Sequence, residues 1–343
     1  IFVMNGSVAE IHTYDDGVVS GNKRLCVSTT STGSYTIKEY DKSKEEWVEV
    51  VENYVAQIGD DGEKFATLEE AINAAEANGT VKLLADISLT AGISISKKIT
   101  LDLNGKTIET NGNSIEVAAT GDLTITGSGT INNAVLATGS KANKDADYKI
   151  VLYVAAGGKL TIENGTFTTK ASQVVYTEGT TTIQGGAFKS IESDAEFNST
   201  GDAIYSTSMI CVAGTSATLT MTDGTIYAGG YEAAKDGLYG IYVQDGGNVI
   251  LGADGTEAGP TIDAYCAAVG ENNTTSPANI TIYGGTYTTR VTPTEGAKWA
   301  PYCATIYASA SGKINIHGGT FTGYYIISDR YQKVDQTVTI TGG

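Results

Sequence analysis

The sequence contains few basic residues, few cysteines and few histidines. It has 22 Lys and Arg against 39 Asp and Glu, only three of the basic residues are Arg, and the formal net charge is −17. Such a charge disfavours nucleic acid and anionic membrane surfaces as partners. The four Cys and two distant His lack the spacing of a zinc site, and four Cys do not make a disulfide framework in a chain of 343 residues.

Long apolar runs and targeting signals are also lacking. No stretch is apolar and long enough to span a membrane, and neither a signal peptide nor an anchor motif is recognisable. The sequence begins at Ile1 and stops inside a repeat at Gly343, so we expect a fragment or mature piece of a longer protein. Its localisation then has to be predicted from fold and composition.

One phrase recurs along the chain: an alternating apolar pair, a turn of Gly-Gly, Asn-Gly or Asp-Gly, and in most copies Thr followed by an aromatic residue. Copies occur at residues 160–167, 182–188, 219–226, 280–287 and 314–321, with a weaker one at 123–125 and a truncated one at 338–343. In the clearest copy, alternation places Leu160 and Ile162 on one face of a strand and Thr161 and Glu163 on the other. The turn glycines permit positive φ at a sharp corner.

Two or three short strands per repeat, with no helix between them, predict one coil of a β-solenoid. The inward-facing marker residues of successive coils are Ile125, Ile162, Ile183, Met221, Leu251, Ile282, Ile316 and Ile340, separated by 37, 21, 38, 30, 31, 34 and 24 residues. A propeller keeps a nearly constant period, whereas a parallel β-helix can carry loops of any length at one corner. We therefore predict an all-β fold, a right-handed single-stranded parallel β-helix.

The repeats, together with the segment from Ala66-Thr67-Leu68-Glu69-Glu70-Ala71-Ile72 to Leu101-Asp102-Leu103-Asn104-Gly105-Lys106-Thr107-Ile108, resemble the pectate-lyase-like β-helix superfamily. More narrowly, they are similar to the secreted or wall-anchored β-helix proteins of Gram-positive gut bacteria. The resemblance covers about residues 55 to 343 and implies the fold. Neither the pectate-lyase signatures nor the Asn-Thr-Asp, Asp-Asp and Gly-His-Gly set of polygalacturonase-like hydrolases is present.

Residues 1–55 differ from the repeats, and residues 56–343 form the expected β-helix. The first segment predicts a small β-rich lead-in, or the end of a preceding module, with strands at 8–14, 24–28, 34–38 and 47–50. Thr67-Leu68-Glu69-Glu70 has the form of a capping box. It predicts a helix at about 68–78 that ends at Gly79 and covers the open end of the first coil.

The long loops fall at one place in the repeat, after the Thr-aromatic strand. They comprise residues 132–148, 189–202, 228–237 and 288–301. Since equivalent positions of stacked coils lie above one another, we expect these loops to form a wall where binding sites can sit.

Acidic residues near equivalent positions of several coils form the first candidate site. Asp202 and Asp236 share a D-x-x-Y phrase, and Asp147 and Asp263 lie at similar positions. Carboxylates on adjacent coils could bind Ca²⁺ at Asp147, Asp202 and Asp236, or act as an acid/base pair on a glycosidic bond. The alternative is that each Asp caps a turn.

The loop 288–301 supplies the second candidate, with Arg290, Lys298 and Trp299. The resemblance implies that an eliminating lyase would need a basic residue near a uronate carboxylate, with Ca²⁺ to acidify the proton. Arg290 and Lys298 are the candidates for that role, and Trp299 could stack on a sugar face.

Tyrosine is the third feature, since 13 of the 20 Tyr follow residue 200. Outward aromatic columns can serve as platforms for sugar rings, and Tyr231, Tyr242 and Tyr283 join Trp299 as expected ligand-binding residues. The alternative is aromatic stacking between coils, which is the expected role of Tyr287 because it matches Phe167.

Two cysteines occupy matching phrases, Tyr265-Cys266-Ala267 and Tyr302-Cys303-Ala304. We expect them on adjacent coils, where a spacing of about 4.8 Å would allow a bridge. Buried reduced thiols in an internal ladder are the favoured interpretation.

These features favour a non-catalytic extracellular module, secreted or attached to the cell wall, which binds glycans or host ligands like an adhesin. It would need no cofactor except Ca²⁺ if the acidic column binds it, and would not insert into membranes. A polysaccharide lyase or glycoside hydrolase is the first alternative. A structural stalk within a longer surface protein is the second.

Overall fold

The structure is a computed structural model, and it describes residues 9–13, 35–41, 46–49, 54–135, 149–170, 173–190, 208–231, 236–237, 239–271, 276–292, 303–308, 312–328 and 337–342. The chain divides into two compact units, Ile1–Asn53 and Tyr54–Gly343. Each unit has its own sheet structure.

The first unit contains a three-stranded sheet of β1 (Ala9–Thr13), β2 (Tyr35–Asp41) and β3 (Glu46–Glu49). β1 pairs with β2 in parallel, and β3 pairs with β2 in antiparallel orientation. Three of the four predicted strands are thus confirmed, while the fourth, at 24–28, lies outside the described residues.

The second unit is a parallel β-helix whose strands are two to six residues long. Its first part, in chain order, comprises β4 (Ala56–Ile58), β5 (Lys64–Phe65), α1 (Leu68–Ala74), β6 (Gly79–Leu83), β7 (Ile87–Ser88), β8 (Ile93–Ile95), β9 (Lys98–Asp102), β10 (Thr107–Glu109), β11 (Ile115–Val117), β12 (Asp122–Thr126) and β13 (Thr130–Asn133). The middle part comprises β14 (Leu152–Val154), β15 (Lys159–Ile162), β16 (Thr166–Thr169), β17 (Val175–Thr177), β18 (Thr180–Ile183), β19 (Ala187–Ser190), β20 (Ser208–Ala213), β21 (Thr218–Met221), β22 (Thr225–Ala228), β23 (Gly230–Tyr231), β24 (Asp236–Gly237) and β25 (Tyr239–Gln244). The last part comprises β26 (Asn248–Leu251), β27 (Thr261–Ala264), β28 (Val269–Glu271), β29 (Asn279–Ile282), β30 (Thr286–Thr289), β31 (Ala304–Ala308), β32 (Lys313–Ile316), β33 (Thr320–Thr322), β34 (Tyr325–Ser328) and β35 (Thr337–Ile340).

Three long sheets run along the solenoid, and each coil contributes one strand to each. Sheet 1 has twelve strands in the order β35-β32-β29-β26-β21-β18-β15-β12-β9-β6-β4-β5. Sheet 2 has the order β33-β30-β27-β22-β19-β16-β13-β10-β7, and sheet 3 the order β34-β31-β28-β25-β20-β17-β14-β11-β8. The chain passes from sheet 1 to sheet 2 to sheet 3 and back in successive coils. The fold agrees with the predicted right-handed single-stranded parallel β-helix.

The apolar alternation fixes the register of the stack. The eight predicted marker residues are aligned from strand to strand of sheet 1, from Ile125 to Ile340. Seven of them are buried in one continuous core. Ile340 is 61% exposed, because β35 is the edge strand of sheet 1 and has a neighbour on one side only. Its alignment was predicted correctly, and its burial was not.

Sheet 2 contributes aromatic ladders to the same core. Phe167 and Phe188 stack with ring centroids 5.0 Å apart and an interplanar angle of 12°, and Tyr287 and Phe321 stack in the same way. Tyr287 is fully buried, and its hydroxyl donates to the carbonyl oxygen of Gly284 at 2.7 Å. The predicted structural role of Tyr287 is confirmed.

The repeated glycines form the corner between sheets 1 and 2. Gly186 has φ +97°, and a Cβ atom there would lie 3.0 Å from the carbonyl oxygen of Gly165 in the coil before it. Both the backbone conformation and the close stacking of corners therefore favour glycine at this position.

Helix α1 covers the first coil, as the capping box predicted. The Thr67 hydroxyl accepts a hydrogen bond from the backbone N–H of Glu70, and the apolar side of the helix is buried in the core. The predicted end at Gly79 was wrong, because the helix ends at Ala74 and Gly79 is the first residue of β6. The Lys97 ammonium donates to the carbonyl oxygens of Asn73 and Ala75 and thereby stabilises this early end.

The long connections lie between sheet 2 and sheet 3. Four of them comprise residues 134–151, 191–207, 229–238 and 290–303. Their predicted position in the coil is confirmed, whereas most of the residues that would form the expected wall lie outside the described part of the chain.

Candidate functional site

The outer face of sheet 2 carries polar side chains beside the bases of the long connections. In register, from one strand to the next, these residues are Glu109, Asn132, Thr168, Lys189, Tyr227, Asp263, Thr288 and Thr322. We call this set the sheet 2 polar column. It arises because the inward alternation of Ile, Phe and Tyr in these strands turns every second residue towards solvent.

The N-terminal half of the column is a hydrogen-bonded ladder. The Asn132 amide donates to both carboxylate oxygens of Glu109, at 2.9 and 2.8 Å, and the Thr168 hydroxyl donates to the Asn132 side-chain oxygen. These hydrogen bonds connect side chains of three successive coils, so the N-terminal half of the column is suited to stabilising the stack of coils.

The C-terminal half contains the two candidates that the structure brings together, Asp263 and Arg290. Nη1 of Arg290 lies 2.6 Å from Oδ1 of Asp263 and donates also to the Asp263 carbonyl oxygen at 3.1 Å. Nη2 donates to the Ala228 carbonyl oxygen at 2.7 Å. Arg290 directly follows β30, so its guanidinium links that coil to β22 and β27.

Tyr227 completes this arrangement. The Cζ atom of Arg290 lies 4.3 Å from the centre of the Tyr227 ring and 6.0 Å from that of Tyr265. Tyr227 is 45% exposed, whereas Tyr265 is buried. We call Tyr227, Asp263 and Arg290 the Arg290 cluster; it presents an exposed aromatic ring held beside a paired carboxylate and guanidinium.

The Arg290 guanidinium is held in place by its partners. Its hydrogen bonds are directed to the Asp263 carboxylate and to main-chain oxygens, which fixes both side chains in place. An oriented ring with adjacent hydrogen-bonding groups is the arrangement by which proteins hold an amphipathic ring such as a sugar.

The outer face of sheet 3 is different, because a second apolar cluster covers it. Tyr176, Tyr242 and Tyr307 project from this face and are 5%, 5% and 1% exposed. Tyr239 stacks on Tyr242 at 5.6 Å and lies over Gly270, where an added Cβ would come within 3.4 Å of its ring. Burial raises the pKa of Tyr239 well above its usual value.

The burial of Tyr242 argues against its expected role as a sugar platform, since its ring packs inside this second cluster. Tyr283 is half-buried and stacks on His317 at 5.1 Å, and the His317 Nδ1 atom lies 2.8 Å from the Thr341 hydroxyl. Tyr283 therefore forms part of a short polar stack at the corner between sheets 1 and 2.

The other predicted site residues fall wholly or partly outside the described residues. Asp147, Asp202, Lys298 and Trp299 lie in connections that the structure does not describe. The backbones of Tyr231 and Asp236 pair across the short hairpin β23–β24, and their side chains belong to the part not described. Binding of Ca²⁺ by Asp147, Asp202 and Asp236 thus stays a prediction.

No protein-family model, curated protein or solved structure matched the chain. What the structure itself shows of the expected resemblance is the parallel β-helix architecture. Within the described residues, no helix has the length and apolarity to cross a membrane, and no three His, Cys, Asp or Glu side chains converge as metal ligands.

Tyr227 is one of the tyrosines that follow residue 200, but it is not one of the four expected ligand-binding residues, although the sequence contains a signal for it. In Thr225-Ile226-Tyr227-Ala228 the apolar alternation turns Ile226 inward and Tyr227 outward, as the structure shows. The exposed fraction of Tyr227 depends on what covers the outer face, which the alternation does not reveal.

Proposed function

We propose that this chain is a non-catalytic extracellular module that binds glycans along the outer face of sheet 2. The observation that carries the proposal is the Arg290 cluster, in which an exposed Tyr ring lies beside a fixed guanidinium and carboxylate. The pectate-lyase-like superfamily, and within it the secreted or wall-attached β-helix proteins, is the family we propose for it.

Three features support glycan binding at this face. The sheet 2 polar column runs parallel to the solenoid axis, so an extended polysaccharide can contact several coils at once. Its side chains are polar but mostly uncharged or paired, which suits hydroxyl groups. The net charge of −17 favours neutral or weakly acidic glycans over highly anionic ones.

The test is binding of the full chain to a panel of neutral and acidic polysaccharides, with Tyr227→Ala as the diagnostic variant. Loss of a stacking ring is expected to weaken binding about tenfold. Tyr324→Ala is the matched control, because Tyr324 is also an exposed tyrosine, at 56%, and lies outside the Arg290 cluster. Equal binding by the wild type and the Tyr227 variant would overturn this placement of the site.

The same panel separates the alternatives. If new oligosaccharides accumulate, with or without Ca²⁺, the protein is a lyase or hydrolase, and Asp263→Asn then tests whether the described carboxylate takes part. If a folded sample binds no glycan and releases no product, the stalk hypothesis replaces this proposal.

A further inference from the structure

Two cysteines of adjacent coils are in contact. The Sγ atoms of Cys266 and Cys303 lie 3.7 Å apart, and the two residues are 3% and 1% exposed. Cys266 lies between β27 and β28, and Cys303 directly precedes β31. Their predicted placement on neighbouring coils is confirmed, and the structure contains no bond between them.

The geometry around the pair suits a covalent bond. A disulfide requires a sulfur separation of about 2.05 Å, so the two sulfurs need to approach by about 1.7 Å. Adjacent parallel strands are about 4.8 Å apart, which lies within the Cα separation that disulfides span. A small side-chain rotation can therefore close the bond without a change in the order of the coils.

Cys211 provides the internal contrast. It is fully buried on the outer face of sheet 3, and its neighbours in register are Tyr176 and Tyr242 rather than another cysteine. Burial raises the pKa of the Cys211 thiol well above its usual value, which keeps it protonated and unreactive. Cys211 is buried like Cys266 and Cys303, so burial alone does not set those two cysteines apart. The contact between their sulfur atoms does.

We propose that Cys266 and Cys303 form a disulfide site that joins two coils when the protein folds in the presence of a small disulfide oxidant such as oxidised glutathione. One cysteine thiolate attacks the glutathione disulfide, forming a mixed disulfide and releasing one reduced glutathione. The second cysteine thiolate attacks the protein sulfur of the mixed disulfide and releases the other glutathione. Two protein thiols are oxidised, one glutathione disulfide is reduced, and the two thiol protons pass to the departing glutathione sulfurs.

Such a bond would close the connection 290–303 onto the preceding coil. The two cysteines are 37 residues apart, so the bond restricts a sizeable loop of the unfolded chain. Its position within the second apolar cluster also shields it from reductants once the protein is folded.

The test is to refold the full chain with oxidised glutathione and, separately, under reducing conditions. After blocking of free thiols, tryptic digestion separates the four cysteines, since Cys266 falls in peptide Asp236–Arg290 and Cys303 in Trp299–Lys313. We expect these two peptides to be joined, two hydrogen atoms lighter than their sum. We also expect two fewer thiols to react in the denatured protein.

The oxidised protein should melt about 5 °C higher than the reduced protein. This difference should vanish in Cys266→Ala and persist in Cys211→Ala, which leaves the pair intact. Recovery of both peptides singly and blocked, with four reactive thiols in the refolded wild type, would overturn the proposal even if a variant failed to fold. None of these measurements depends on glycan binding.

Discussion

Replacing Arg290 by alanine is expected to destabilise the solenoid by about 2 kcal/mol. The guanidinium makes three hydrogen bonds, two to Asp263 and one to the Ala228 carbonyl oxygen, and it lies against the Tyr227 ring. At about 0.5–1.5 kcal/mol for each hydrogen bond and about 0.5–1 kcal/mol for the ring contact, the total is about 2–5 kcal/mol. The side chains of Arg290 and Asp263 are 26% and 40% exposed, so water replaces part of what is lost and the lower end applies.

Denaturant unfolding measures this difference, and heating supplies a second measure. For a unit of about 290 residues the unfolding entropy is about 0.6 kcal/mol per degree, so the expected fall in Tm is about 3 °C. Arg290→Lys should lie between wild type and alanine, because lysine keeps the charge and loses the planar fork of donors. Part of the alanine effect should disappear at high salt, since the ion pair is partly exposed.

Lys313→Ala is the control, because Lys313 is an exposed lysine on sheet 1. Its substitution should change the unfolding free energy by less than about 0.5 kcal/mol. If Arg290→Ala behaves like this control, the guanidinium does not hold the three coils together. Asp263 and Arg290 would then not be a fixed scaffold for Tyr227.

Three further predictions concern stability. Phe188→Ala should lower the unfolding free energy by about 3–5 kcal/mol, because it removes a fully buried ring from the stack with Phe167. Lys189→Ala, on the outer face of the same strand, should be nearly neutral. Comparable denaturation midpoints for the two variants would contradict the inward orientation of Phe188. Burial raises the pKa of Tyr239, so above about pH 10 the unfolded chain releases a proton that the native state retains. The contribution of this group to the free energy of unfolding is therefore complete below that pH and falls as the pH rises. Denaturation titrations at alkaline pH should show a shallower fall in stability for Tyr239→Phe than for the wild type. Thr67→Ala should lower the unfolding free energy by about 1 kcal/mol, because it removes the N-cap of α1. Hydrogen exchange should show reduced amide protection first in that helix. Unchanged protection there would count against the capping role of Thr67.

Much of the fold could be predicted because each coil repeats the same local pattern. The alternation around Ile162 and Ile183 fixes which side chains face inward, and the intervening glycine corner allows successive coils to stack in register. The end of α1 was harder to predict, because it depends on contacts made far along the chain. The Asn78 N–H donates to the Lys98 carbonyl oxygen at 2.7 Å, so the chain must leave the helix in time for β6 to pair with β9.

The candidate site was predictable only in part. Asp263 and Arg290 stood out singly as charged residues, but their contact depends on the register between strands 27 residues apart along the chain. Tyr227 and Tyr242 both face outward by alternation, yet the first is exposed and the second is buried. The difference lies in whether other residues cover each outer face, and no local pattern encodes that.

The sheet 2 polar column also places its side chains at regular intervals along the solenoid axis. Each coil adds one strand spacing of about 4.8 Å, so the eight positions of the column extend over about 34 Å along the axis. The distance between two side chains on this face therefore depends on how many coils separate them, and not on the number of residues in the connections. Lengthening a connection therefore leaves the axial position of every side chain in the column unchanged. Adding or removing one coil shifts all later side chains of the column by one strand spacing.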